Sequence, residues 1–144
     1  MFHPEHLVEK ISGHQNSKKI NYLGLLSREE LKHALGKSMA GLVLFHPVEN
    51  HVNSQPNKLF EYMSAPLPVI ASDFPLWEEI IRVYDCGILV DSLNEDEIAA
   101  TIDFIIQNPA DALKMGKRGR NAIELHYNWP IESKTLKDIY NELI

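Results

Sequence analysis

Apolar positions along the chain fall into short runs and into helical stripes, and the two alternate. Ile20 to Leu26 (INYLGLL), Gly41 to Phe45 (GLVLF), Pro68 to Ala71 (PVIA) and Gly87 to Val90 (GILV) are runs with little polar alternation. That pattern predicts strands covered on both faces, as in a parallel sheet. Pro4 to Ile11 reads as a short helix, with proline in the first turn where its missing N–H costs nothing. Ser27 stands three residues before Glu30, a capping-box spacing that predicts a helix to about Ser38 with Leu31, Ala34 and Leu35 on its inner face. His46 to Pro56 is a polar loop, followed by a helix from Asn57 to Ser64 that Pro66 terminates. Pro75 opens a helix through Val83, with Trp77, Ile80 and Ile81 at helical spacing.

The remainder is helical. Asn94 and Glu97 supply a cap and its reciprocal partner for a helix on which Ile98, Ala99, Ile102, Ile105 and Ile106 form one wide stripe. Asn108-Pro109 predicts another helix by the cap-plus-proline rule, carrying Leu113, Ala122, Ile123 and Leu125, with Gly116 and Gly119 as candidate breaks. The last helix, from about Pro130, presents Leu136, Ile139, Tyr140 and Leu143, and Trp77 and Trp129 read as packing anchors. Strands alternating with helices predict an α/β fold, a Rossmann-like parallel sheet flanked by helices. No repeat, linker or low-complexity tract interrupts residues 1–144, which read as one domain.

Composition removes several function classes. A chain of 144 residues with 44% hydrophobic and 24% charged residues can bury a core of its own. A formal net charge of -6 argues against broad nucleic-acid binding. Cys86 is the single cysteine, so no internal disulfide and no zinc-type cysteine pair exists, and a reducing cytoplasmic setting is the simplest expectation. The opening stretch MFHPEHLVEKISGH carries charge throughout, unlike a signal peptide or anchor. No later apolar run approaches the roughly 20 residues that span a bilayer, which leaves peripheral membrane association open.

In a doubly wound sheet the ligand sits outside the carboxyl ends of the strands, which puts His46 to Glu61 at the expected site. A helix N-terminus there offers unpaired N–H groups to a diphosphate, and a nearby carboxylate can accept two hydrogen bonds from a ribose diol. Glu61 is the natural carboxylate, although on spacing alone a solvated helix residue is the commoner case. Lys58, in the first turn of the same helix, opposes the helix dipole; a phosphate or sugar would account for it, as would a stem lying on apolar surface. His46 and His51 lie on the loop without further ligands at metal spacing, so no metal site is expected. Lys114, Lys117 and Arg118 share a helical face that could meet an anionic lipid or acceptor, though a solvated face is the commoner case. GxGxxG and GxxxxGK[ST] loops are absent, and Asp73 and Asp91 lack the acidic company of a phosphoacceptor site.

The string NSQPNKLFEYMSAPLPVIAS, Asn53 to Ser72, closely resembles the loop-helix-strand signature of glycosyltransferase family 4 and its group 1 relatives in the GT-B fold. The resemblance extends to YLG at Tyr22 to Gly24, CGILV at Cys86 to Val90, MGKRGR at Met115 to Arg120 and YNW at Tyr127 to Trp129, in the order of the family's C-terminal domain. It implies one half of a GT-B fold, the donor-binding half of a retaining, metal-independent transferase of hexosyl or related groups. The donor would be a UDP- or GDP-sugar, with no separate cofactor. It implies a missing N-terminal domain and a missing opening strand and helix, so that the isolated chain would be inactive, and it is compatible with a lipid-linked acceptor. Glu61 takes the ribose position, with Lys58 and Ser54 beside the donor and Leu25 and Leu26 at the nucleobase pocket. Many relatives carry a first glutamate eight positions further back, with seven residues between the two; here that place, the catalytic one, holds Asn53, and Glu49 is out of register. An amide can hydrogen-bond a sugar hydroxyl but cannot place negative charge beside a developing oxocarbenium ion. A non-catalytic nucleotide- or partner-binding α/β module and half of a GT-B-fold nucleotide-sugar epimerase stand as alternatives.

Overall fold

A computed structural model describes residues 4–143. The chain divides into two compact units, Met1–Leu31 and Lys32–Ile144. The first holds helix α1 (Pro4–Ser12) and a single 3-10 turn at Ser17–Lys19. Helix α2 (Arg28–Gly36) begins there, and its capping box is formed in full: the Glu30 carboxylate accepts the Ser27 backbone N–H at 2.8 Å while the Ser27 hydroxyl accepts the Glu30 N–H at 3.3 Å. The strand expected at Ile20 to Leu26 is not formed. A strand exists only by pairing, and among the described residues this segment has no ladder partner; Tyr22, Leu23 and Leu25 are exposed.

The second unit is built on a parallel sheet of β1 (Gly41–Val43), β2 (Val69–Ser72) and β3 (Gly87–Val90), in that spatial order. Gly41 faces Val69, which faces Gly87 in turn. β2 is central and all four of its residues are buried, as its unbroken apolar run requires. Its side chains alternate between two cores: Val69 and Ala71 join Leu59, Met63 and Trp77 on one face, while Ile70 joins Val90 and Ile105 on the other.

The first core is covered by α4 (Asn57–Ser64) and α5 (Pro75–Tyr84), the second by α6 (Glu95–Gln107). A one-turn helix, α3 (Glu49–Val52), lies inside the loop between β1 and α4. Helix α7 (Pro109–Leu125) serves both cores, Ala112 in one and Ala122 in the other, and α8 (Trp129–Glu142) closes the described chain. Helix α5 ends at Asp85 in the left-handed conformation, a place that aspartate tolerates, and Arg118 holds that turn by donating to the Asp85 carboxylate and carbonyl, each at 2.7 Å.

Four expectations are corrected. Gly116 and Gly119 do not interrupt α7; both are buried where it crosses α4 and the segment after it, and a Cβ at Gly116 would lie 2.0 Å from the Pro66 carbonyl oxygen. Asn94 does cap α6, accepting the Glu97 N–H at 3.2 Å, but the Glu97 carboxylate turns to the Asp91 N–H instead of completing the box. Helix α7 does begin at Asn108-Pro109, with Asn108 in the cap position, but the Asn108 side chain donates back to the Phe104 carbonyl of α6 and supplies α7 no capping hydrogen bond. Trp129 is 70% exposed and anchors nothing, whereas Trp77 is fully buried as expected.

Candidate functional site

Because β1, β2 and β3 are parallel, their C-terminal ends share one edge of the sheet, and the segment 46–56 leaves β1 there. The crossover helix α4 returns toward β2, so its N-terminus opens on that same edge.

Both ends of the segment are fixed from beneath. At its start, the buried Ser72 hydroxyl accepts the Phe45 N–H at 2.8 Å and donates to the Phe45 carbonyl at 3.1 Å. Ser92, just beyond β3, donates to the same carbonyl at 2.7 Å. At its end, the Trp77 indole Nε1–H donates to the Ser54 carbonyl at 2.6 Å. Between these points the segment bonds to itself: the His51 ring nitrogen Nδ1 lies 2.9 Å from the His46 carbonyl, and the Ser54 hydroxyl donates to the His51 carbonyl at 3.1 Å. Phe45 packs against His51 and Trp77 with ring centroids 4.9 and 5.6 Å apart.

On this frame Asn53 is the exposed C-terminal cap of α3, and its N–H returns to the Glu49 carbonyl at 3.1 Å. Glu49 itself opens α3. The N-cap of α4 is Pro56, whose side chain supplies no capping hydrogen bond, so the first turn of α4 keeps donors for another acceptor. Lys58 and Glu61 are exposed, while Leu59 and Met63 of the same helix are buried, which is the stripe that turns the charged pair outward. Burying each of those two side chains contributes about 1.5–3 kcal/mol, which fixes the roll of the helix and hence the outward direction of Glu61. The Tyr62 hydroxyl is pushed above its usual range, by burial first and by the Glu61 carboxylate second.

The structure thus gathers Asn53, Ser54, Lys58 and Glu61 along one loop-helix segment. Leu25 and Leu26 belong to the first unit, Leu25 fully exposed and Leu26 half-buried. Lys114 pairs with Asp111 and Arg118 with Asp85, which leaves Lys117 as the member of that basic face without an ion pair among the described residues. No group of three or more metal-ligating side chains occurs among the described residues, and no helix among them is long and apolar enough to cross a membrane. Sequence reasoning missed Ser72, Ser92 and the indole contact of Trp77, since each joins positions 23 to 47 residues apart and leaves no local signal.

The family model for glycosyl transferases of group 1 matches residues 3–122, most of the chain. The chain belongs to the group 1 glycosyltransferases. No curated protein matches it in sequence. Among solved structures it is similar to the sucrose-phosphate synthase of Thermosynechococcus elongatus, with a TM-score of 0.78 and 22% sequence identity over 97% of this chain. The match takes in 34% of that enzyme's chain, so this group 1 chain spans about a third of its length. The fold is that of one half of a GT-B arrangement, a parallel α/β sheet flanked by helices.

Proposed function

We propose that the chain is the donor-binding half of a retaining glycosyltransferase, which moves a hexosyl or related sugar from a UDP- or GDP-sugar to an acceptor hydroxyl. The observation that carries this reading is the join of an uncapped helix N-terminus to an outward carboxylate: α4 begins at Pro56 without a side-chain cap and presents Glu61 on its exposed face. A diphosphate suits the first and a ribose diol the second. Lys58 adds positive charge in the first turn, where the leaving diphosphate gains negative charge during transfer. Asn53 takes the place facing the donor sugar as a hydrogen-bonding amide, not as a charge. Leu25 and Leu26 form the nucleobase pocket in the complete enzyme.

The acceptor hydroxyl attacks on the face from which the nucleoside diphosphate departs, without a metal or a separate cofactor. An N-terminal domain supplies the acceptor pocket, so the isolated chain binds donor and does not turn it over. The complete enzyme works in the cytoplasm, at the membrane surface where its acceptor is lipid-linked, and takes no nucleic acid. The test is Glu61→Gln, read by calorimetric titration of UDP, GDP and their 2′-deoxy forms. A charge-assisted hydrogen bond is worth about 1.5–3 kcal/mol, so the ribonucleotide should bind tenfold or more weakly while the 2′-deoxy form, already short of one hydroxyl, loses less. Equal binding of both forms to Glu61→Gln and wild type would remove Glu61 from the ribose.

A further inference from the structure

We infer that Trp77 is a positioning residue for the donor loop, an inference that rests on the reading of that loop given above. An indole N–H is a donor only, and when buried it needs an acceptor. Trp77 is fully buried at the first turn of α5, between Phe45 and Phe74, and the acceptor it takes is the Ser54 carbonyl, 23 positions earlier in the chain. A trans peptide is planar, so a Ser54 carbonyl drawn inward to Trp77 turns the N–H of Gln55 outward. That N–H makes no backbone hydrogen bond among the described residues. Pro56, which follows, has none to offer. Trp77 therefore aims the last donor before α4 toward the side on which that helix opens, where a diphosphate oxygen would accept it. The Ser72 and Ser92 hydroxyls fix the other end of the segment at Phe45, so the indole sets the one remaining end.

The experiment is Trp77→Phe in the full 144-residue chain, which keeps an aromatic ring and removes the N–H, beside Ile105→Val, a loss of core volume on the opposite face of the sheet. Amide exchange at His51, Asn53 and Ser54 reports loop order, and titration with UDP and GDP reports affinity. Trp77→Phe should speed exchange at those amides about tenfold, weaken the nucleotide about five- to tenfold and abolish its shift of the Gln55 amide; Ile105→Val should do none of these. Wild-type exchange and affinity in Trp77→Phe, or equal loosening in Ile105→Val, would overturn the inference. If wild type takes neither nucleotide at millimolar concentration, the donor reading fails and the exchange data alone decide the role of Trp77 in the loop. Should Trp77→Phe not fold, the two indole N–H resonances of wild type decide: Trp77 should exchange far more slowly than the exposed Trp129, and equal rates would refute the bond.

Discussion

Replacing Gly116 by alanine should destabilise the protein even though alanine is the better helix former. Gly116 lies within α7, where an added Cβ would sit 2.0 Å from the Pro66 carbonyl oxygen and 2.7 Å from its carbonyl carbon. Real Cβ atoms essentially never approach a neighbour closer than 3.0 Å, so something must move by about an ångström, and the obstacle is backbone that no rotamer change can clear. Forcing such a shift against backbone costs about 2–3 kcal/mol, the upper part of the overpacking range, against a gain of about 1 kcal/mol in helix propensity. The net loss is about 1–2 kcal/mol, a fall in Tm of about 3–8 °C for a chain of this size. Gly36, the last residue of α2, has nothing within 4 Å of its added Cβ, so Gly36→Ala should be neutral or raise Tm by a degree or two. Thermal melts followed by circular dichroism compare the two directly. A Gly116→Ala protein that melts at or above wild type would refute the close approach of α7 to Pro66.

Trp129→Ala should change stability by no more than about 0.5 kcal/mol, because the ring is 70% exposed; a loss above 2 kcal/mol in urea titration would show that it packs. Burial pushes the Cys86 thiol up to about 11, so it stays protonated and unreactive toward a thiol reagent at pH 8 until the chain unfolds, and rapid modification of the native chain would contradict this. Burial, followed by the neighbouring Tyr84, likewise pushes the Tyr127 hydroxyl up to about 12. Both groups hold protons more tightly folded than unfolded, so their contribution is fully present below the ordinary thiol and phenol range. It is lost as pH rises from about 9 toward 12, and denaturation midpoints should fall over that window.

Local chemistry was legible from the sequence wherever it acts between near neighbours. The bounds of α4 and β3, the Ser27–Glu30 box and the proline start of α5 all follow from residues within one or two turns. Ile20 to Leu26 has a strand's composition, but composition supplies no hydrogen-bonding partner, and none lies beside it among the described residues. Helix α3 was hidden because a single turn of polar residues carries no apolar period. Trp129 was misplaced since the size of a side chain says how much it gains by burial, not whether a neighbour exists to bury it. The candidate site divides in the same way. Asn53, Lys58 and Glu61 lie on one continuous segment and are singled out by its resemblance to a family signature, whereas Ser72, Ser92 and Trp77, which hold that segment in shape, meet it only through the fold.

The central claim, that the segment from Asn53 to Glu61 receives a nucleotide sugar, is tested most directly by titrating the isotope-labelled chain with UDP, GDP and their sugar conjugates while following backbone amide shifts. Donor binding predicts saturable shifts concentrated at Asn53, Lys58 and Glu61, with Leu25 responding to the base and α8 silent. Amides of the 53–61 segment that stay unmoved at millimolar nucleotide, or shifts gathered at another part of the surface, would contradict it.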